Sequence, residues 1–259
     1  YARYVAQEVT MVSVTYPGID RAIGIVATEI EIVTAERNAF DDFLARISDI
    51  PTDSVETPAS DAGTAAGLMV GSAGPTRNLE AVQSAYRETV MAVPHYDSEY
   101  GEPLSKHLAT EVDGTLAGQI ACGTVVTRPV LAALASAIGE ARTKREQFLT
   151  ELNRERKSLE TVTTRLGDIE RQTHSIGTGL RADTHDSPAD ALQELEGRCT
   201  GLARTRQQTI HGRSASAWSG VDEESLLQYL YVDMETDTPA LAALGSCLAT
   251  IRRHKRQLG

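Results

Sequence analysis

The sequence predicts an all-α protein: a long antiparallel coiled-coil-like helical hairpin with shorter helices packed around it. Three observations carry that expectation. The first is a sustained periodicity. Steps of three and four residues from position 131 to 176 land on Leu131, Leu134, Ile138, Ala141, Arg145, Phe148, Leu152, Glu155, Leu159, Val162, Leu166, Ile169, Thr173 and Ile176, eleven of these fourteen being apolar. A helix gathers such positions into one stripe, whereas a strand or loop has no reason to maintain them. The second is a shorter stretch, after the polar linker 177–186, in which Leu192, Leu195, Cys199 and Leu202 keep the same spacing. A linker of that length allows reversal while keeping neighbours in contact, so a hairpin is expected. The third lies near the start, where Ile19, Ile23, Val26, Ile30, Val33, Arg37, Phe40, Leu44 and Ile47 step in the same way.

Taken in order, residues 1–50 form an N-terminal segment with an amphipathic helix. Ahead of that helix, residues 9–16 (VTMVSVTY) have the β-branched composition of a short strand, without a partner strand in view. Pro51 ends the helix, and residues 51–75 read as a flexible linker rich in Pro, Gly, Ser, Thr and Ala. Residues 76–259 form a helical domain. Its first helix, 78–93, carries Leu79, Val82, Tyr86, Val90 and Val93 on one face and stops at Pro94. A second, 103–120, carries Leu104, Leu108, Val112, Leu116 and Ile120.

The long helix is placed at 128–176. Thr127-Arg128-Pro129 supplies its start and Gly177-Thr178-Gly179 its stop. Gly139 and Gly167 each cost on the order of 1 kcal/mol relative to Ala, and the charged Arg145 and Glu155 interrupt the seam. The return helix is placed at 187–211, with Ser187 as N-cap, Pro188 at the first helical position and Asp190 in the positive first turn. Two more helices, 222–231 and 239–258, close the chain. Thr238-Pro239 starts the second, and the basic run 252–256 complements its negative end. No repeat of 20 to 50 residues recurs, so no solenoid is indicated.

Composition narrows the function classes. Lys106, Lys144, Lys157 and Lys255 are the four lysines among 25 basic residues, leaving 21 arginines against 36 acids and a net charge of -11. An acidic surface stays hydrated in concentrated salt, where a Debye length of about 3 Å at molar ionic strength screens its self-repulsion. We therefore read a salt-adapted protein in preference to an ordinary acidic one from a GC-rich genome. The most apolar stretch, 19–33, is interrupted by Asp20, Arg21, Glu29 and Glu31, so no membrane span is expected. No secretory leader is legible. Cys122, Cys199 and Cys247 lie far apart in the chain and form no CxxC, which fits a reducing cytoplasm and buried structural thiols.

Chemistry-bearing groups are densest between the helices 78–93 and 103–120. There His95, Asp97 and Glu99 alternate, and an extended backbone would turn all three to one side as metal ligands or acid–base groups. His107 follows closely. An interhelical loop with packed tyrosines and acids near a helix N-terminus explains the same residues more simply, because no second His-rich element completes a site. No GxSxG elbow and no P-loop is present. His174 and His211 stand singly. The basic stretches 142–145, 154–157 and 252–256 suggest nucleic acid, but glutamates interleave the first two and the net charge opposes phosphate binding. Neither cofactor nor bound metal is expected, and nucleic acid is disfavoured as a partner.

The run 86–103, YRETVMAVPHYDSEYGEP, resembles a signature of an uncharacterised haloarchaeal protein family. Two further stretches are similar to the same family: 34–40, TAERNAF, and 226–231, LLQYLY. The resemblance covers roughly residues 25–257. It implies a domain of unknown function from a halophile, and it transfers neither an activity nor catalytic residues.

The expected function is that of a non-enzymatic scaffold, adaptor or regulatory interaction protein. The long seam, through Phe148, Leu152, Leu159, Val162, Leu166 and Ile169, is expected to exceed what the short helices cover and so to meet a partner or a second copy. A metal-dependent or acid–base enzyme built on His95, Asp97 and Glu99 is the alternative, and a nucleic-acid-associated protein using 252–256 the next. If the acidic surface is a salt adaptation, the melting temperature rises between about 0.1 and 2 M KCl as repulsion is screened. Melts that stay flat or fall over that range would contradict it.

Overall fold

Two long helices organise the chain: α1, Pro17–Ser48, and α6, Arg128–Gly177. Both appear in a computed structural model that describes residues 15–51, 75–178, 187–212 and 223–258. Among these residues every regular element is helical. The expected strand lies outside the described residues except for Thr15 and Tyr16, and the expected linker lies outside them except for its two terminal prolines. The helices divide into two compact units, one comprising Tyr1–Thr28 and Leu152–Gly259, the other Glu29–Glu151. α1 and α6 each contribute to both.

In the first unit the later part of α6 pairs with α7, Pro188–Gly212. Arg206 reaches Glu155 while Arg198 reaches Gln172, so the two helices run antiparallel as the short linker implied. α8, Glu223–Tyr231, and α9, Pro239–Leu258, complete the unit with the start of α1. α9 runs antiparallel to α7: Arg252 and Lys255 both bind Glu196, and the Cys199 thiol donates to the Leu244 carbonyl at 3.6 Å. Ile19, Val26, Leu192, Leu195, Leu244 and Ile251 fill the space between, all buried. At Gly177, the last residue of α6, a Cβ would stand 2.8 Å from the His254 ring of α9, so a larger residue there would require that ring to shift.

The second unit joins the rest of α1 and the start of α6 to a string of short helices. These are α2, Pro75–Glu88, a 3₁₀ turn Val90–Ala92, α3, Tyr96–Glu99, α4, Leu104–Glu111, and α5, Gly114–Cys122. Phe40, Phe43, Tyr86, Leu108, Ile120, Leu134 and Ile138 form the centre of its core, with the Phe43 and Tyr86 rings edge to face at 5.2 Å.

Two local expectations need correction. The single helix expected over 103–120 is two. Val112 is extended, and the Asp113 side chain caps α5 by accepting from the backbone N–H groups of Thr115 and Leu116. The i+4 row of leucines hides this break, whereas Asp113-Gly114 announces it. The segment holding His95, Asp97 and Glu99 is not extended but contains α3. Gly101, at φ +56°, ends that turn in the left-handed region, with its N–H on the Tyr96 carbonyl at 3.0 Å. Helical steps of 100° scatter the three side chains that an extended strand would have aligned.

The long helix stands as expected, unbroken through Gly139 and Gly167. Along its seam, Leu152, Leu159, Val162, Leu166 and Ile169 are no more than 2% exposed, packed among the chain's own helices, and Phe148 is half-buried. Leu159→Ala or Leu166→Ala should therefore cost about 2–5 kcal/mol by denaturant unfolding. Arg156→Ala, which loses an exposed hydrogen bond to Asn153 at 3.2 Å and an exposed pair with Glu160 at 3.8 Å, should cost under about 0.5 kcal/mol.

Candidate functional site

The densest set of ionisable groups is in the second unit, centred on Arg145 of α6. Its position on the apolar stripe turns the guanidinium inward, where a charge must find a partner. Two carboxylates meet it. Glu111, from the last turn of α4, takes both ends of the fork, Nη1 at 2.9 Å and Nη2 at 2.5 Å. Glu36 of α1 accepts from Nε at 3.1 Å. The same guanidinium lies 4.7 Å from the centre of the Phe40 ring, a cation–π contact that covers its face.

Glu36 is the hub of a second layer. Its Oε1 accepts the Tyr100 hydroxyl at 2.6 Å and faces His95 Nε2 at 3.3 Å. Glu36 and His95 side chains are each 12% exposed, and Glu111 is 8%. An aromatic group closes the far side: the rings of Tyr86, Tyr96 and Tyr100 all surround His107, with centroids 4.9–5.8 Å away. The Tyr86 hydroxyl and His107 Nδ1 share a hydrogen bond of 2.9 Å, and Tyr96 O–H donates to the Glu102 carbonyl at 2.8 Å.

Electrostatics follow from this packing. Burial works against the Arg145 charge, but Glu111 and then Glu36 outweigh it and raise its pKa further above the usual range. Burial, then the hydrogen bond to Glu36 and that carboxylate's charge, push the Tyr100 phenol well up. Tyr86 is raised by burial and then by Glu111. Both phenols thus stay protonated at neutral pH. His107 is lowered, chiefly by burial, and is neutral in the fold.

The sequence expectations map onto this site unevenly. His95 joins it through Glu36. Asp97 and Glu99 are exposed on α3 and do not converge with His95. Among the described residues no group of three His, Cys, Asp or Glu side chains is arranged to hold a metal ion. Of the basic stretches, 142–145 supplies Arg145, and also Arg142, whose Nε bonds Asp41 at 2.5 Å. In 252–256, Arg252 and Lys255 are drawn to Glu196, whose pKa they lower, Lys255 first. Sequence reasoning passed over Glu36, Tyr100 and Glu111. Arg145 was visible only as a flaw in the seam. Glu36 and Tyr100 were visible inside two of the family-like stretches, 34–40 and 86–103, which the fold brings together here.

The other charged flaw in the seam builds a second network, in the first unit. Glu155 accepts from Arg206 Nη1 at 2.8 Å and Nη2 at 2.7 Å, and from the Tyr231 hydroxyl at 2.7 Å. Arg206 Nη1 also reaches Ser158 Oγ at 2.9 Å, and neither charged side chain has any exposed surface. Tyr231 is the last residue of the third family-like stretch, 226–231.

These features define an all-α protein whose interior charges are paired within the chain. A family model described as a domain of unknown function, DUF7260, matches residues 18–255, and the chain belongs to that family. The match begins upstream of the resemblance read from the sequence and takes in the first turns of α1. Neither a curated protein nor a solved structure matches the chain. No described helix is long and apolar enough to cross a membrane.

His107 makes the site sensitive to pH. Its pKa in the fold lies below the unfolded value of about 6.5, so below that pH the unfolded chain binds the extra proton more readily. Its contribution is intact above about 6.5 and is lost as pH falls toward the depressed folded value. Urea titrations of wild type between about pH 7 and 5 should show falling stability, with a shallower slope in His107→Gln. Equal slopes would contradict the assignment.

Proposed function

We propose that this chain is a non-enzymatic helical scaffold, adaptor or regulatory interaction protein of a salt-adapted archaeon, acting in the cytoplasm. One observation carries the reading: the groups of the Arg145 cluster are engaged with one another. Glu36 accepts from Arg145 and Tyr100 and faces His95, and Glu111 is held by both ends of the Arg145 fork. A general acid or base needs an open valence toward a substrate and a pKa near the working pH. Here the carboxylates are occupied and the buried phenols are pushed away from neutrality. Such a cluster specifies how short helices pack on α1 and α6, which is the work of a scaffold. Because Leu152, Leu159, Leu166 and the rest of the inner stripe are covered, the partner is met by outward faces of the helices.

The alternative is a metal-dependent or acid–base enzyme using His95, Asp97 and Glu99, of which His95 contacts Glu36, and metal analysis separates the two readings. A His95→Ala/Asp97→Ala/Glu99→Ala variant should bind no less Zn²⁺ or Mn²⁺ than wild type, while tagged wild type recovered from cells at native salt carries a stoichiometric protein partner or a second copy. Stoichiometric metal in the wild type, lost in the variant, would overturn the proposal.

A further inference from the structure

Along the edge of the α6–α7 seam lies a groove of about 270 Å³. Arg154, Lys157 and Arg165 project from one face of α6 along its edge, and Thr205 and Thr209 of α7 stand opposite. Val162 and Leu202, both buried, give it an apolar floor. Among the described residues no acidic side chain lines it, in a chain of net charge -11. The nearest carboxylate by position, Glu155, is spent on Arg206 and Tyr231 within the core.

Lys157 and Arg165 are exposed and form no ion pair among the described residues. Arg206 is part of the groove wall, and its buried Nε–H finds no acceptor among the described residues. The groove therefore presents the charges of Lys157 and Arg165 with no carboxylate against them among the described residues. By contrast, Arg145 is answered by Glu36 and Glu111, and Arg252 by Glu196.

We propose that this groove is the docking surface for an acidic, amphipathic helical segment of a protein partner. The proposal rests on the reading of the chain as an interaction protein and adds the chemistry of what it binds. Spacing favours a helix over a single anion. Eight residues separate Lys157 from Arg165, about 12 Å along α6 at ~1.5 Å per residue, too far for one phosphate to bridge. Carboxylates two turns apart on a facing helix match it. The apolar floor suits an aliphatic side chain between those carboxylates, the helix-in-groove mode of recognition. Nucleic acid fits less well, because among the described residues no aromatic ring lines the groove to stack a base. Charge complementarity across such a face steers encounter and fixes register.

The test uses the full chain and a fluorescent helical peptide with leucines along one edge and glutamates at i, i+4 and i+8. Anisotropy at low salt should show saturable binding to wild type. Binding should weaken at least about tenfold, or ~1.4 kcal/mol, in Lys157→Glu/Arg165→Glu and when the peptide glutamates become glutamines. Lys144→Glu, an exposed charge of the second unit, should leave it unchanged. Both substituted side chains of the double variant are exposed, so its thermal melt should match wild type and certify the fold. Absence of saturable binding, equal binding to the double variant, or binding of oligothymidylate but not peptide would each overturn the proposal. A cellular partner kept by the double variant as well as by wild type would sink the groove while leaving the interaction reading standing.

Discussion

An apolar stripe along α6 must be covered, and it contains two charges that must be paired. Covering the stripe is worth roughly 25 cal/mol per Å² of apolar surface removed from water, which is why α1, α7 and the shorter helices gather along it. The charges set a stricter condition. An unpaired ion in such a place costs several kcal/mol, so only packings that bring Glu36 and Glu111 to Arg145, and Arg206 to Glu155, are acceptable. Hydrophobic burial says that helices must meet α6, and the two charges say which residues must face it.

Each unit meets that condition with its own means. Around Arg145 the partners come from α1 and α4, and Tyr100 and His95 complete the coordination of Glu36. Glu155 instead is served from α7 and α8, by a two-pronged guanidinium and a tyrosine hydroxyl. Both carboxylate sites use a fork, whose planar pair of N–H groups matches two oxygens at once. Such pairs add little net stability over a well-packed apolar contact, but they penalise every alternative register of one helix on another. This is what a protein with few aromatic residues and many similar amphipathic helices needs, since alanine, valine and leucine surfaces alone discriminate poorly among registers.

The same division of labour separates inside from outside. Inward charges on α6 are matched within the chain, whereas Lys157 and Arg165, on its outer face, are not. Asp97 and Glu99 are also turned outward, on a four-residue helix too short to gather them. The groups that looked most chemical in the sequence are thus dispersed, and a group that looked like a defect is the hub of the densest cluster.

Helix positions and the α6–α7 hairpin were legible in the sequence because they depend on local spacing, caps and linker length. The 3,4 stepping from Leu131 to Ile176, Ser187-Pro188 and Thr238-Pro239 each name an element without reference to the rest of the chain. Even the missed break at Val112 was written locally, in the capping Asp113. What only the tertiary structure decided is which distant residues meet: Glu36 with Tyr100 and Arg145, Glu155 with Arg206 and Tyr231, and the closing of the seam against the chain's own helices. Periodicity states that a face is apolar but not what covers it, and a charged residue on that face states a need but not its partner. Those answers depend on contacts between residues 34 to 109 positions apart, which local spacing does not encode.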